Sequence, residues 1–309
     1  MSIFESKKKQ RELYEKLIKF ALISAAVISI LTTFGILFSI LFEAVEFFKL
    51  RSFWYFITGT TWTPGVIGSQ FGALPIFAGT FVITVIALTV AIPIGLGSAI
   101  YMSEYASPTL RDYLKPLLEV LAGIPSVVYG FFAAITVAPL VVKGAEMIGL
   151  EATFNSALAC GIVMGIMIIP TISSLSDDVI RAVPDSQRKA AFGLGMTHGE
   201  TIKNIVLPSA MPGIISASLL ALSKALGETM VVVMAAGLRP NLSWNPLDDM
   251  TTVTVTIVNS LVGDFEFNSP ETLSAFALGL ILFVVTLILN MISLSLIRKF
   301  KEKYKVNTL

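Results

Sequence analysis

Six stretches of 20 or more residues contain no Asp, Glu, Lys or Arg: 20–42, 52–103, 120–142, 152–176, 204–223 and 272–297. A helix needs about 20 apolar residues to cross a bilayer, so each stretch can hold one span. Only 14% of the chain is charged and 55% is hydrophobic, against about 25% charged in an ordinary soluble domain. The layout predicts an all-α polytopic membrane protein with six transmembrane helices, at roughly 20–42, 74–102, 118–142, 154–176, 210–237 and 273–297. Residues 43–73, with Trp54, Trp62, Pro64, Gly65 and Gly68, read as a loop or interfacial turn.

Several function classes fall away at once. A net charge of +1 with no basic stripe interleaved with aromatics gives nucleic acid nothing to bind. Cys160 is the only cysteine and His198 the only histidine, so a Cys/His metal site within this chain is excluded and no disulfide forms. No Gly-Lys dipeptide occurs, hence no phosphate loop, and GLGMTHG at 193–199 lacks the spacing of a dinucleotide fingerprint. No cofactor is expected in this chain, and any ATP-driven step needs a separate one.

Lys7, Lys8, Lys9, Arg11, Lys16 and Lys19 precede the first apolar run. That run is longer than a signal peptide's core and ends in Phe38, Leu41 and Phe42 rather than a small-residue cleavage site, which predicts an uncleaved anchor helix. Lys and Arg cluster on the cytoplasmic side of membrane proteins. With both termini cytoplasmic, 17 of the 22 basic residues fall inside and four (Lys49, Arg51, Lys143, Arg239) outside, with Lys224 within a span.

That orientation places RKAAFGLGMTHGETIKNIVLP, residues 188–208, in the cytoplasm. Pro184 and Asp185 suit the first turn of a helix, and Gly193 or Gly195 its end. Thr197 with Glu200 three residues later fits a capping box for a second helix, and Pro208 opens the fifth span. A solvated, partly helical loop is the plain alternative. The spacing of Ala190-Ala191, Gly195, Ile205 and Leu207-Pro208 resembles the EAA motif of importer-type ABC permeases, the cytoplasmic helix pair that docks on the ATPase. The motif's acidic first position holds Lys189 here.

FGALPIFAGT (71–80), SEYASPTLRDYLKPLLEVLAGIPSVVYG (103–130) and LSKALGETM (222–230) extend the likeness. From about Trp54 to Arg298 the chain resembles the PstC-type permease subunit of bacterial phosphate ABC importers, within the binding-protein-dependent transport permease family. The resemblance implies a type I importer permease fold with a coupling-helix pair, a bacterial cell-membrane location and a transporter rather than an enzyme. It divides the chain into 1–73 (cytoplasmic N-terminal segment, anchor helix and extracytoplasmic segment), a transmembrane core at 74–297 with its coupling loop at 177–208, and a basic cytoplasmic tail at 298–309. The implied partners are a PstA-like permease subunit, a PstB-like ATPase dimer carrying ATP and Mg, an extracytoplasmic phosphate-binding protein and membrane lipid. Lys189, Ala190, Ala191, Gly195, Ile205, Leu207 and Pro208 are the implied ATPase-coupling residues.

Lys224 and Glu228 lie in the predicted fifth span, four residues apart and so on one helix face. Each would cost about 2.5–3.5 kcal/mol at the centre of a lone helix, so such residues face a cavity or each other. One reading is a mutually satisfied packing pair; the other is a substrate path in which Lys224 meets a passing anion. In the resembled family this basic-acidic pair is implicated in phosphate passage, with arginine the usual base. An ion-coupled secondary transporter would use such a pair as a proton relay, but has no need of an ATPase dock. A sulfate or molybdate permease remains the alternative of the same class. Gly213, Ala217, Ala221 and Ala225 recur every four residues, a spacing that lets helices pack closely, either within this chain or against a second subunit. Pro93, Pro125, Pro139 and Pro170 are expected to kink spans.

Overall fold

A computed structural model describes residues 2–65, 68–262 and 266–303, with side chains from 14 to 299. The elements in order are α1 (Ser2–Leu50), α2 (Phe53–Thr58), β1 (Trp62–Thr63), β2 (Gln70–Phe71), α3 (Leu74–Ile100), α4 (Pro108–Ala122), α5 (Ser126–Phe132), α6 (Ala138–Met147), α7 (Ala157–Arg181), α8 (Asp185–Gly193), α9 (His198–Thr201), α10 (Leu207–Leu226), α11 (Met230–Ala235), α12 (Val253–Val262) and α13 (Pro270–Lys303). Six helical stretches are long and apolar enough to cross a membrane: Tyr14–Leu50, Leu74–Tyr105, Ser126–Met147, Ala157–Arg181, His198–Leu226 and Pro270–Lys299. The expected all-α, six-span architecture is what forms.

The third and fifth spans are displaced from expectation, each for a local reason. Gly123-Ile124-Pro125 ends α4 and lets Pro125 cap α5, so the third span starts at Ser126 rather than near 118. Residues 108–122 become a separate helix with no buried residue. The fifth span starts earlier, at His198, and ends at Leu226. Gly227 and Glu228 then break the chain before the short helix α11, so 210–237 is not one helix.

Wide turns closed by bonds from residue i to i+5 interrupt three spans, at Tyr101–Tyr105, Ala133–Val137 and Ile202–Val206. The last two stand directly before Pro139 and Pro208, where Ala138 N–H reaches Ala133 and Leu207 N–H reaches Ile202. Proline has no N–H, and its ring crowds the carbonyl four residues back. Adding a residue to the preceding turn relieves that clash without ending the helix. Helices α3 and α7 run through Pro93 and Pro170.

The core lies between α3 and α7, where Ile83, Ala87, Ala91, Cys160, Val163, Met164, Ile168 and Ile172 are buried. Glycines set the spacing. A methyl added at Gly161 would stand 2.6 Å from Ile86 Cγ2, at Gly165 2.8 Å from Val90 Cβ, and at Gly95 2.9 Å from Ile172 Cβ. Helix α10 seats on α7 at Gly213, and Ala217, Ala221 and Ala225 are all buried within this chain. The small-residue stripe is thus internal packing. Helix α1 lies outside, against α13, and the apolar window of its span has no residue buried by this chain.

The described residues of 43–73 form more regular structure than a loop. Helix α1 continues to Leu50, and β1 pairs with β2 antiparallel, Trp62 opposite Phe71. Phe47, Phe56, Trp62 and Phe71 meet edge to face and bury a small aromatic cluster at that end of the bundle.

Candidate functional site: a capped helix pair and a broken span

The segment 185–208 folds as read from its caps. Pro184 precedes α8, and Asp185 occupies its first turn. After Gly193 the helix closes on Gly195 at φ 82°, with Gly195 N–H donating to Phe192 and Met196 N–H to Ala191. This paired closure needs a left-handed residue, which glycine supplies without strain. Thr197 and Glu200 form the reciprocal capping box of α9. The turn between the helices and the start of α9 are thereby held by local bonds.

The sequence-marked residues divide into two groups. Lys189, Ala190 and Gly195 are exposed on the outer side of the pair, beside Leu194, which is 84% exposed. Lys189 makes no ion pair among the described residues. Ala191 is the buried residue of α8, while Ile205 in the wide turn and Leu207 and Pro208 at the start of α10 are half-buried. The first group can meet a partner; the second joins the pair to the bundle.

Sequence reasoning missed the residues that anchor this pair. Arg188 Nη2 donates to Glu104 Oε1 at 2.8 Å and to the Ile180 carbonyl at 3.0 Å, and Nη1 donates to the Val183 carbonyl at 2.5 Å. His198 Nε2 lies 3.2 Å from the Glu104 carbonyl oxygen, its ring stacked on Phe192 and edge-on to Tyr105. Nearby, Arg111 donates to Asp177 at 2.7 Å and Lys115 to Asp178 at 2.5 Å, tying α4 to α7. The bond to Asp177 raises the Arg111 pKa further above its ordinary value. A cleft of about 430 Å³ opens here, lined by Arg111, Arg181, Arg188, Asp112 and Asp185 among others. Two of its three arginines are committed to acids, so it has no free excess of positive charge. The one sequence signal was Glu104 itself, the first charge after the 52–103 stretch.

At the far end of α10 the structure corrects the view of Lys224 and Glu228 as partners on one helix face. Lys224 is exposed in the last turn of α10 and pairs with no acid among the described residues. Beyond the break, Glu228 Oε1 accepts from the backbone N–H groups of Thr229, Met230 and Val231 at 3.1, 3.0 and 3.4 Å. Thr254 Oγ1 donates to the Glu228 carbonyl at 2.8 Å, fixing the break against α12. Each charge sits at the helix end whose dipole favours it: a cation at a C-terminus, an anion at an N-terminus. Among the described residues Lys224 therefore keeps its donors free. Cys160, in the α3–α7 core, is fully buried.

Comparison with known proteins agrees with this architecture. Residues 91–302 match the family described as binding-protein-dependent transport system inner membrane component. The chain is 34% identical over 251 residues to the probable ABC transporter permease protein YqgH of Bacillus subtilis, covering 81% of this chain and 78% of that one. It is 36% identical over 252 residues to the phosphate transport system permease protein PstC of Mesorhizobium japonicum, covering 76% and 75%. Over 288 residues it is 32% identical to PstC 1 of Mycobacterium bovis, covering 83% and 85%. A chain of a bacterial ABC transporter involved in alginate import shares the fold at TM-score 0.63 and 16% identity, covering 93% of this chain and 99% of that one. The fold is that of a type I ABC importer permease, a multi-pass inner-membrane architecture. The chain belongs to the family of binding-protein-dependent transport system inner membrane components.

Proposed function

We propose that this chain is the permease subunit of an ATP-driven importer of inorganic phosphate, forming half of its translocation path. The observation that carries the reading is the likeness to PstC permeases along most of both chains. The exposed α8–α9 pair, held by its glycine turn and the capping box of α9, supports it, because a self-sufficient carrier needs no such dock. Lys189, Ala190 and Gly195 offer a low-profile surface to a PstB-like ATPase dimer, which supplies ATP and Mg; Ala191, Ile205, Leu207 and Pro208 seat the pair. A PstA-like permease completes the path, and an extracytoplasmic binding protein delivers phosphate. The chain itself holds no cofactor. Both termini and the α8–α9 pair face the cytoplasm, following the distribution of Lys and Arg.

Lys224 is the anion contact of the path, with Glu228 shaping the break beside it. An unpaired ammonium in a span is costly unless it faces a cavity or an anion. Glu228 is satisfied by three backbone N–H groups, so its role is to hold α11 in place rather than to neutralise Lys224.

The test is the four-component complex in proteoliposomes with labelled phosphate, sulfate and molybdate. ATP-dependent accumulation of phosphate is expected; accumulation of sulfate or molybdate instead would reassign the substrate. Lys224→Met should assemble and hydrolyse ATP while failing to import, and Lys224→Arg should retain import because its fork matches phosphate oxygens. Near-normal uptake by Lys224→Met would remove Lys224 from the path.

A further inference from the structure

The last turn of α3 grips both arms of the α8–α9 pair through one residue. Glu104 lies in the wide turn Tyr101–Tyr105, where Ala106 N–H reaches back to the Tyr101 carbonyl at 2.8 Å. Its side chain is 5% exposed and accepts from Arg188 of α8, while its backbone carbonyl faces His198 of α9. Among the described residues, every side-chain hydrogen bond between the end of α3 and the helix pair passes through Glu104. Arg188 also donates to the carbonyls of Ile180 and Val183, at and just past the end of α7. Its guanidinium therefore joins α8 to the ends of both α3 and α7.

Those two helices cannot slide past each other easily, because Gly95, Gly161 and Gly165 leave no room for a methyl between them. A push on α8 reaches this block through a desolvated ion pair with fixed geometry. It reaches α10 separately, through the wide turn Ile202–Val206. An apolar contact in place of the pair could slip sideways without carrying load; a bonded guanidinium cannot, since leaving the acid strands a charge with little water around it.

We propose that Glu104 is a positioning residue for transport, transmitting movement of the helix pair through Arg188 and His198 into the α3–α7 block. The proposal rests on the reading of α8–α9 as the ATPase dock. Loss of the Glu104 charge leaves the local bonds of the pair intact, so docking survives, while Arg188 keeps only weaker carbonyl partners and its fixed ion pair to the block is lost.

The experiment uses the full complex with its ATPase and binding protein in proteoliposomes. Three quantities are measured: ATPase co-purified per permease, binding-protein-stimulated ATP hydrolysis, and labelled phosphate imported per ATP. Glu104→Gln should keep the full ATPase stoichiometry while phosphate imported per ATP falls about tenfold, within the range of coupling between sites. The double change Glu104→Gln with Arg188→Gln should be no worse than Arg188→Gln alone, as for two residues in one link. Near-parental phosphate per ATP in Glu104→Gln, or losses that multiply in the double variant, would overturn the proposal. So would loss of the ATPase from Glu104→Gln alone, which would make the residue part of docking. Failure of the unmodified chain to retain the ATPase would instead refute the dock itself.

Discussion

Replacing Gly213 by alanine is expected to destabilise the bundle, although alanine is the better helix former. The added Cβ would lie 2.2 Å from Val179 Cγ1, 2.6 Å from Cγ2 and 2.9 Å from Cβ. Carbon atoms in contact sit about 3.5–4.0 Å apart, so α10 and α7 must part by more than an ångström or Val179 must turn. Valine has one strongly preferred rotamer in a helix, which blocks the second escape. Overpacking of this kind costs about 1–3 kcal/mol, partly offset by about 0.5–1 kcal/mol of helix propensity. Gly97→Ala is the matched control, because nothing lies within 4 Å of its added methyl. Thermal unfolding of the purified permease in one detergent reads the difference. Gly213→Ala should melt several degrees below the parent, on the rough scale of 2–4 °C per kcal/mol for domains of 150–250 residues. Gly97→Ala should match or exceed the parent. Adding Val179→Ala to Gly213→Ala should recover much of the loss by emptying the space that the new methyl needs. If Gly213→Ala melts with Gly97→Ala, the close approach of α10 to α7 is not real.

Three further outcomes follow from single sites. Gly195→Val should reduce both ATPase retention and import, because φ 82° disfavours a β-branched residue, while Gly195→Asn should retain more of both; pull-down of the ATPase beside uptake checks this. Cys160→Ala should import at close to the parental rate with a small loss of thermal stability, and the native thiol should resist maleimide until the protein unfolds, since Cys160 is fully buried. Asp177→Asn should lower melting more than any of these, since Asp177 is fully buried against Arg111 and breaking a buried pair costs about 3–5 kcal/mol.

Much of the fold was legible because membrane insertion is read from local composition. Six charge-free windows predict six spans, and six form, since a backbone in lipid must satisfy its own hydrogen bonds as helix. The caps of α8 and α9 were legible for a similar reason. Gly195, Thr197 and Glu200 bond to backbone within a few residues of themselves, so spacing alone identifies them. The breaks were less so: helical periodicity carried Lys224 and Glu228 onto one face, and nothing in a hydropathy window shows that Gly227 ends α10.

The sequence by itself determined the number of spans, the helix pair that follows the fourth, and the lack of a phosphate loop, all properties of residues near one another in the chain. Only the tertiary structure decided which distant charges meet. Glu104 and Arg188 are 84 residues apart, and Arg111 and Asp177 are 66 apart. Their pairing depends on how closely Gly95, Gly161 and Gly165 let α3 approach α7 and on how the wide turns aim the helix ends. The same holds for the small-residue stripe of α10, whose spacing fits an internal or an external neighbour equally. The choice of α7 and α3 as its neighbours came from packing, because a side chain's partner across a bundle is set by the shapes of all the helices at once.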